Sequence, residues 1–140
     1  MTLTDIEAVD DEAVGTLSAA TVYVCITCRR PEDPDDAERP GLTLARAVAK
    51  AADGTGVAVR QVECLANCSR GLSAAMRCDG AWTYIFGGLE PGPDAEALIT
   101  GARLLARAKN GVLPWRGRPE ILKRGLIARV PPIDFSEETE

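Results

Sequence analysis

"VAVRQVECLANCSRG", residues 57–71, decides how this chain is organised. Its first half alternates apolar and polar side chains, the period of a strand with one buried face. Its second half carries Cys64 and Cys68 in a turn of small and polar residues that ends near Gly71. A strand is therefore expected over 57–64, with Cys64 at its end and Cys68 in the loop beyond.

Upstream, "LTLARAVAKAAD" (42–53) repeats apolar residues every three or four positions, and Gly54 can stop it. That spacing predicts an amphipathic helix burying Leu44 and Val48. Before it, "RRPEDPDDAERPG" (29–41) holds three prolines and five acids within 32–38, which reads as a loop. "TVYVC" (21–25) is β-branched and aromatic, a short buried strand. Downstream, "LSAAMRCDGAWTYIFGGL" (72–89) contains two extended runs joined at Asp79-Gly80, a strong hairpin signal. "PDAEALITGARLLARAKNG" (93–111) begins with proline and acids and ends with bases and glycine, as a helix aligned with its own dipole should.

The expected order is β-α-β-β-β-α, an α/β fold with a mixed sheet in the thioredoxin-like arrangement. The β-α-β unit makes its two strands parallel, and the hairpin extends the sheet antiparallel. Residues 1–20 read as an acidic, mobile arm, residues 21–111 as the domain, and 112–140 as a tail. The tail, "VLPWRGRPEILKRGLIARVPP" with an acidic disordered end, is expected to wrap the domain in extended form, anchored by Trp115, Ile121, Leu122 and Leu126. Trp82, Tyr84 and Phe86 alternate along one strand and are expected to pack in the core, with exposure on an edge as the alternative.

Parallel strands finish at the same edge of a sheet. Cys25 ends the first and Cys28 opens the loop after it, while Cys64 and Cys68 stand at the end of the second. Four thiols are thereby expected at one end of the molecule. Four thiolates make a soft cage suited to a [2Fe–2S] cluster, in which each iron takes two cysteines. Small residues at Ala66, Asn67, Ser69 and Gly71 let backbone N–H groups approach the sulfurs. Structural zinc uses the same four-cysteine set, although zinc ribbons favour two CxxC knuckles and the second pair here is CxxxC. A dithiol oxidoreductase needs only Cys25 and Cys28, but the prolines and acids after Cys28 oppose the lowered thiol pKa that such chemistry requires. Unlinked cysteines remain the plain alternative. Cys78 lies in the hairpin and reads as a small apolar filler.

Composition narrows the options. With 140 residues the chain is one domain, large enough to fold without disulfides. It contains no histidine, which removes Ser-His-Asp and Cys-His catalysis and any His-ligated metal. A net charge of −5 argues against nucleic acid as partner. No secretory signal and no apolar span is visible, so a cytoplasmic location, with reduced thiols, is expected. The acids at 32–38 would border the metal end and steer a basic partner, or simply be solvated. The bases Arg116, Arg118, Lys123, Arg124 and Arg129 would meet an anionic partner or the protein's own acids.

"VYVCITCRR", "VECLANCSRGLSAAMRCDGAWTYIFGGL" and the tail "GVLPWRGRPEILKRGLIARVPP" resemble small bacterial predicted metal-binding proteins related to the thioredoxin-like [2Fe–2S] ferredoxin family. The resemblance runs from about residue 21 to 132. It implies ligand roles for Cys64 and Cys68, from a CxxxC turn of the same kind. The first pair departs from the ferredoxin pattern, whose two early cysteines stand about ten or more residues apart. The implied function is a non-enzymatic electron carrier holding one [2Fe–2S] cluster on Cys25, Cys28, Cys64 and Cys68. Its partner would be a reductase or acceptor enzyme, and a homodimer is implied by the same likeness. The competing expectation is a zinc- or cobalt-binding metal-handling protein linked to cobalamin synthesis, and the third is the dithiol oxidoreductase.

Overall fold

A computed structural model of the protein describes residues 20–27, 39–66 and 70–133. Within the described residues, five strands and three helices follow one another as β1 (Thr21–Cys25), α1 (Pro40–Ala52), β2 (Ala58–Val62), β3 (Ala74–Arg77), β4 (Thr83–Phe86), α2 (Asp94–Arg107), α3 (Ile121–Arg124) and β5 (Leu126–Val130). They form one sheet in the order β2-β1-β3-β4-β5. β1 and β2 are parallel, with Cys25 opposite Val62. The other pairings, β1 with β3, β3 with β4 and β4 with β5, are antiparallel. The expected β-α-β-β-β-α order therefore holds, with α3 and β5 added after it.

Alternation along the strands explains why one sheet face is covered. Val22 and Val24 of β1, Met76 and Ala74 of β3, and Tyr84 and Phe86 of β4 lie in register on that face and are all buried. α1 turns Leu44, Ala45 and Val48 inward, and α2 turns Leu98, Ala102 and Leu105 inward. The two helices pack on one another and both touch β1, so they share one side of the sheet. Pro40 starts α1 at a position where its missing N–H costs nothing. No helix among the described residues is long and apolar enough to cross a membrane.

The tail departs from expectation. Residues 126–130 form an edge strand rather than an extended wrap, pairing with β4 through Leu126 opposite Phe86 and Val130 opposite Thr83. Pro131 and Pro132 end it, since neither can donate to a ladder. Ile121 and Leu122 do anchor the tail, at 8% and 0% exposure, but Trp115 is 63% exposed and lies outside the core. Leu122 packs where α2 has no side chain: a Cβ at Gly101 would collide with its Cδ1. Because β5 takes the edge, the aromatic strand β4 is internal. Tyr84 and Phe86 stack with ring centroids 6.3 Å apart inside the core, so the alternative of an exposed aromatic edge does not apply.

Tyr84 also ties the tail to the sheet. Its hydroxyl accepts the Leu113 N–H at 2.8 Å in a buried setting. Tyr84→Phe would leave that N–H without an acceptor, which costs about 1–3 kcal/mol. The expected result is a loss of unfolding free energy in that range in urea melts; a loss too small to measure would mean that water replaces the hydroxyl.

Candidate metal centre

The parallel register brings the first and second cysteine segments to one edge of the sheet. Beyond the last pair, Cys25 with Val62, the ladder takes one further step as the Ile26 N–H donates to the Val62 carbonyl at 2.9 Å. Cys25 is 1% exposed, and its own N–H donates to the Ser73 carbonyl at 3.1 Å, fixing it between β2 and β3. The Cys25 thiol donates to the Glu63 carbonyl at 3.5 Å. That carbonyl belongs to the peptide that joins Glu63 to Cys64, so the Cys25 sulfur sits against the backbone that delivers the second cysteine. Residues 36 or more positions apart in the chain are thus neighbours.

The strand leading to Cys64 ends earlier than its alternation predicts. β2 stops at Val62, and Cys64 stands two residues past it, exposed, in the loop. The reason lies in the Glu63 carbonyl, which leaves the ladder to accept from the Thr27 hydroxyl and the Cys25 thiol. Thr27 is the residue that sequence reading overlooked. Its presence matters when Cys25 loses its proton: the thiol hydrogen bond disappears, and the hydroxyl still satisfies the carbonyl. A metal could therefore take Cys25 without orphaning a backbone acceptor.

Cys64 is arranged as a ligand would be. The Ala66 N–H donates to its sulfur at 3.1 Å. Ala66 reaches that position with φ of 59°, the left-handed region that a β-carbon disfavours. Backbone N–H donation to sulfur stabilises thiolate and tunes the potential of sulfur-ligated metals, and the small residue at 66 was expected to permit it. A second polar group also stands close by. The Arg39 guanidinium donates through Nη1 to the Thr27 carbonyl at 3.5 Å, which holds a positive charge beside the loop that follows Cys25.

Cys28 and Cys68, together with the acids at 32–38, lie outside the described residues. Among the described residues, no three potential metal ligands come together. The donor set on view, one buried and one exposed thiol at one strand edge with an N–H aimed at sulfur, fits a soft metal or a cluster. Cys78 is elsewhere. β3 runs antiparallel to β1, with Arg77 opposite Thr21, so Cys78 is at the other edge of the sheet. At about 3.4 Å per residue that separates it from the Cys25 level by roughly 17 Å. Burial raises the Cys78 thiol pKa, the charge of Asp79 adds to the rise, and a hydrogen bond to the Asp79 backbone offsets part of it. A thiol held protonated is a poor ligand.

Comparison with solved structures agrees with this topology. The chain is similar to a thioredoxin-like [2Fe–2S] ferredoxin from Aquifex aeolicus, with a TM-score of 0.53, 20% identity, and 84% of this chain and 99% of that chain covered. A cysteine-to-serine variant of that ferredoxin gives a TM-score of 0.50 at 18% identity, covering 78% and 98% of the two chains. The fold is thioredoxin-like. No curated protein matches. A family model described as "Protein of unknown function (DUF1636)" matches residues 22–132, spanning β1 through β5 and both cysteine segments, and the chain belongs to that family.

Proposed function

We propose that this protein is an electron carrier holding one [2Fe–2S] cluster on Cys25, Cys28, Cys64 and Cys68. The observation that carries this reading is the Cys25 thiol lying on the Glu63–Cys64 peptide. It unites the ends of two parallel strands, on a fold shared with a protein named as a [2Fe–2S] ferredoxin. When bound, such a cluster supplies one-electron redox chemistry. The chain's own residues would supply ligands, the Ala66 N–H, and the burial around Cys25. No bond-making step is assigned to them. The partner would be a reductase or acceptor protein in a reducing compartment such as the cytoplasm, where the thiols stay available.

Anaerobic purification followed by iron and acid-labile sulfide analysis tests the reading. The expected result is about two of each per chain, with visible absorption that bleaches on reduction. A colourless protein carrying zinc would replace the cluster with the metal-handling alternative.

Arg39 yields a second expectation. A cation beside the centre favours the more negative, reduced form. At an effective dielectric near 20 and about 8 Å, a unit charge contributes about 2 kcal/mol, and solvent exposure reduces this several-fold. Arg39→Gln is expected to lower the reduction potential by about 20–60 mV, measured by spectroelectrochemistry. An unchanged potential would show that the guanidinium does not sense the centre.

A further inference from the structure

Arg118 is 9% exposed, yet it faces no carboxylate among the described residues. Its Nε–H donates to the Pro114 carbonyl at 3.2 Å and its Nη2 group to the Leu113 carbonyl at 2.6 Å. Its guanidinium lies 5.0 Å from the Trp115 ring centroid and 5.9 Å from that of Tyr84. Carbonyl dipoles and ring faces offer partial negative charge, and neither neutralises a full cation. Burial pushes the guanidinium pKa down, with Arg129 adding to the effect against the opposing influence of Tyr84. The side chain is thus a preorganised cation with no counterion among the described residues.

It also borders a recess. A cavity of about 570 Å³ opens beyond the C-terminal end of α2, lined by Lys109, Asn110, Leu113, Pro114, Trp115 and Arg118 among others, with no acid among the described residues of its wall. Asn110 uses its side-chain oxygen to accept the Val112 N–H at 3.1 Å, which leaves its amide N–H groups as donors. Of the five N–H donors of a guanidinium, the Nη1 pair is not used by either carbonyl bond.

We propose that this recess is a binding site for a small oxyanion, a carboxylate or phosphate group. Arg118 would be the charged anchor, Lys109 the cation at the rim and Trp115 an aromatic wall. The guanidinium is already fixed by two backbone carbonyls, so little side-chain entropy remains to be lost on binding. An incoming anion would relieve the cost of the buried charge, which is the physical reason for expecting affinity. The site shares no residue with the cysteine edge, and the proposal goes beyond the electron-carrier reading.

The full chain, as purified, is titrated with inorganic phosphate and separately with succinate, at ionic strength held constant with chloride. Tryptophan fluorescence and melting temperature are followed together. A saturable response to either probe is expected, and which probe saturates identifies the oxyanion; Arg118→Gln should weaken it at least tenfold and Lys109→Gln severalfold. Arg116→Gln, an exposed side chain outside the recess, should leave it unchanged. Absence of a saturable response to both probes overturns the proposal, as does equal affinity in Arg118→Gln. Should Arg118→Gln not fold, Lys109→Gln carries the test, and unchanged affinity there overturns the proposal. The readout needs no metal, so loss of the cluster reading would leave it standing.

Discussion

Cys64→Ser is expected to abolish iron binding while leaving the metal-free fold within about 0.5 kcal/mol of its parent, because exposed substitutions away from packing rarely do more. Cys64 is exposed, and its sulfur has one described partner, the Ala66 N–H. A serine hydroxyl can keep that hydrogen bond but is a harder, far less acidic donor than thiolate, so it cannot hold a soft metal equally well. Cys25→Ala should give the same loss of iron by a different route. Cys25 is 1% exposed and belongs to the core, so this variant should also lose about 1–2 kcal/mol of metal-free stability. Cys78→Ser, at the opposite sheet edge, should retain full iron. Iron content by elemental analysis and urea melts of the metal-free proteins distinguish these outcomes. Iron retained in Cys64→Ser would confine any metal to the Cys25–Cys28 segment and end the idea of a site shared between two strand ends.

Leu122→Ala is expected to cost about 3 kcal/mol, the middle of the range for a buried leucine truncated to alanine. For a chain of this size that corresponds to a fall in melting temperature of about 10 °C. Leu122 is 0% exposed, and it sits in the gap that Gly101 leaves on α2. α3 is four residues long, too short to persist by backbone hydrogen bonding alone, so its contacts with the core must hold it. Undocking it would loosen β5, which begins two residues after α3 ends. Thermal melts of the metal-free protein check this. A loss below about 1 kcal/mol would show that the tail is an appendage rather than a layer of the core.

The cysteine edge and the docked tail differ in how far the amino-acid pattern announces them. α1 and α2 have apolar residues at helical spacing, and the hairpin has Asp79-Gly80, with Gly80 at φ of 77°. These signals are local, since each residue's partners lie within a few positions, and all three elements form where the pattern places them. β5 carries no comparable signal. "LIARV" has one long side flanked by solvent, and its residues from Ala128 to Val130 are exposed. It becomes a strand because β4 presents an unpaired edge that backbone groups can satisfy.

The cysteine edge divides in the same way. The types and spacing of Cys25, Cys28, Cys64 and Cys68, and the absence of histidine, are properties of the chain as written, and they leave cysteine, with Asp and Glu in reserve, as the side chains for any metal. Folding alone decided that Cys25 would lie on the Glu63–Cys64 peptide, that Thr27 would hold that carbonyl, and that Arg39 would stand beside the loop. Residue type is carried by the covalent chain, but proximity across a sheet depends on strand register. Register in turn depends on which side chains fill the core on the opposite face.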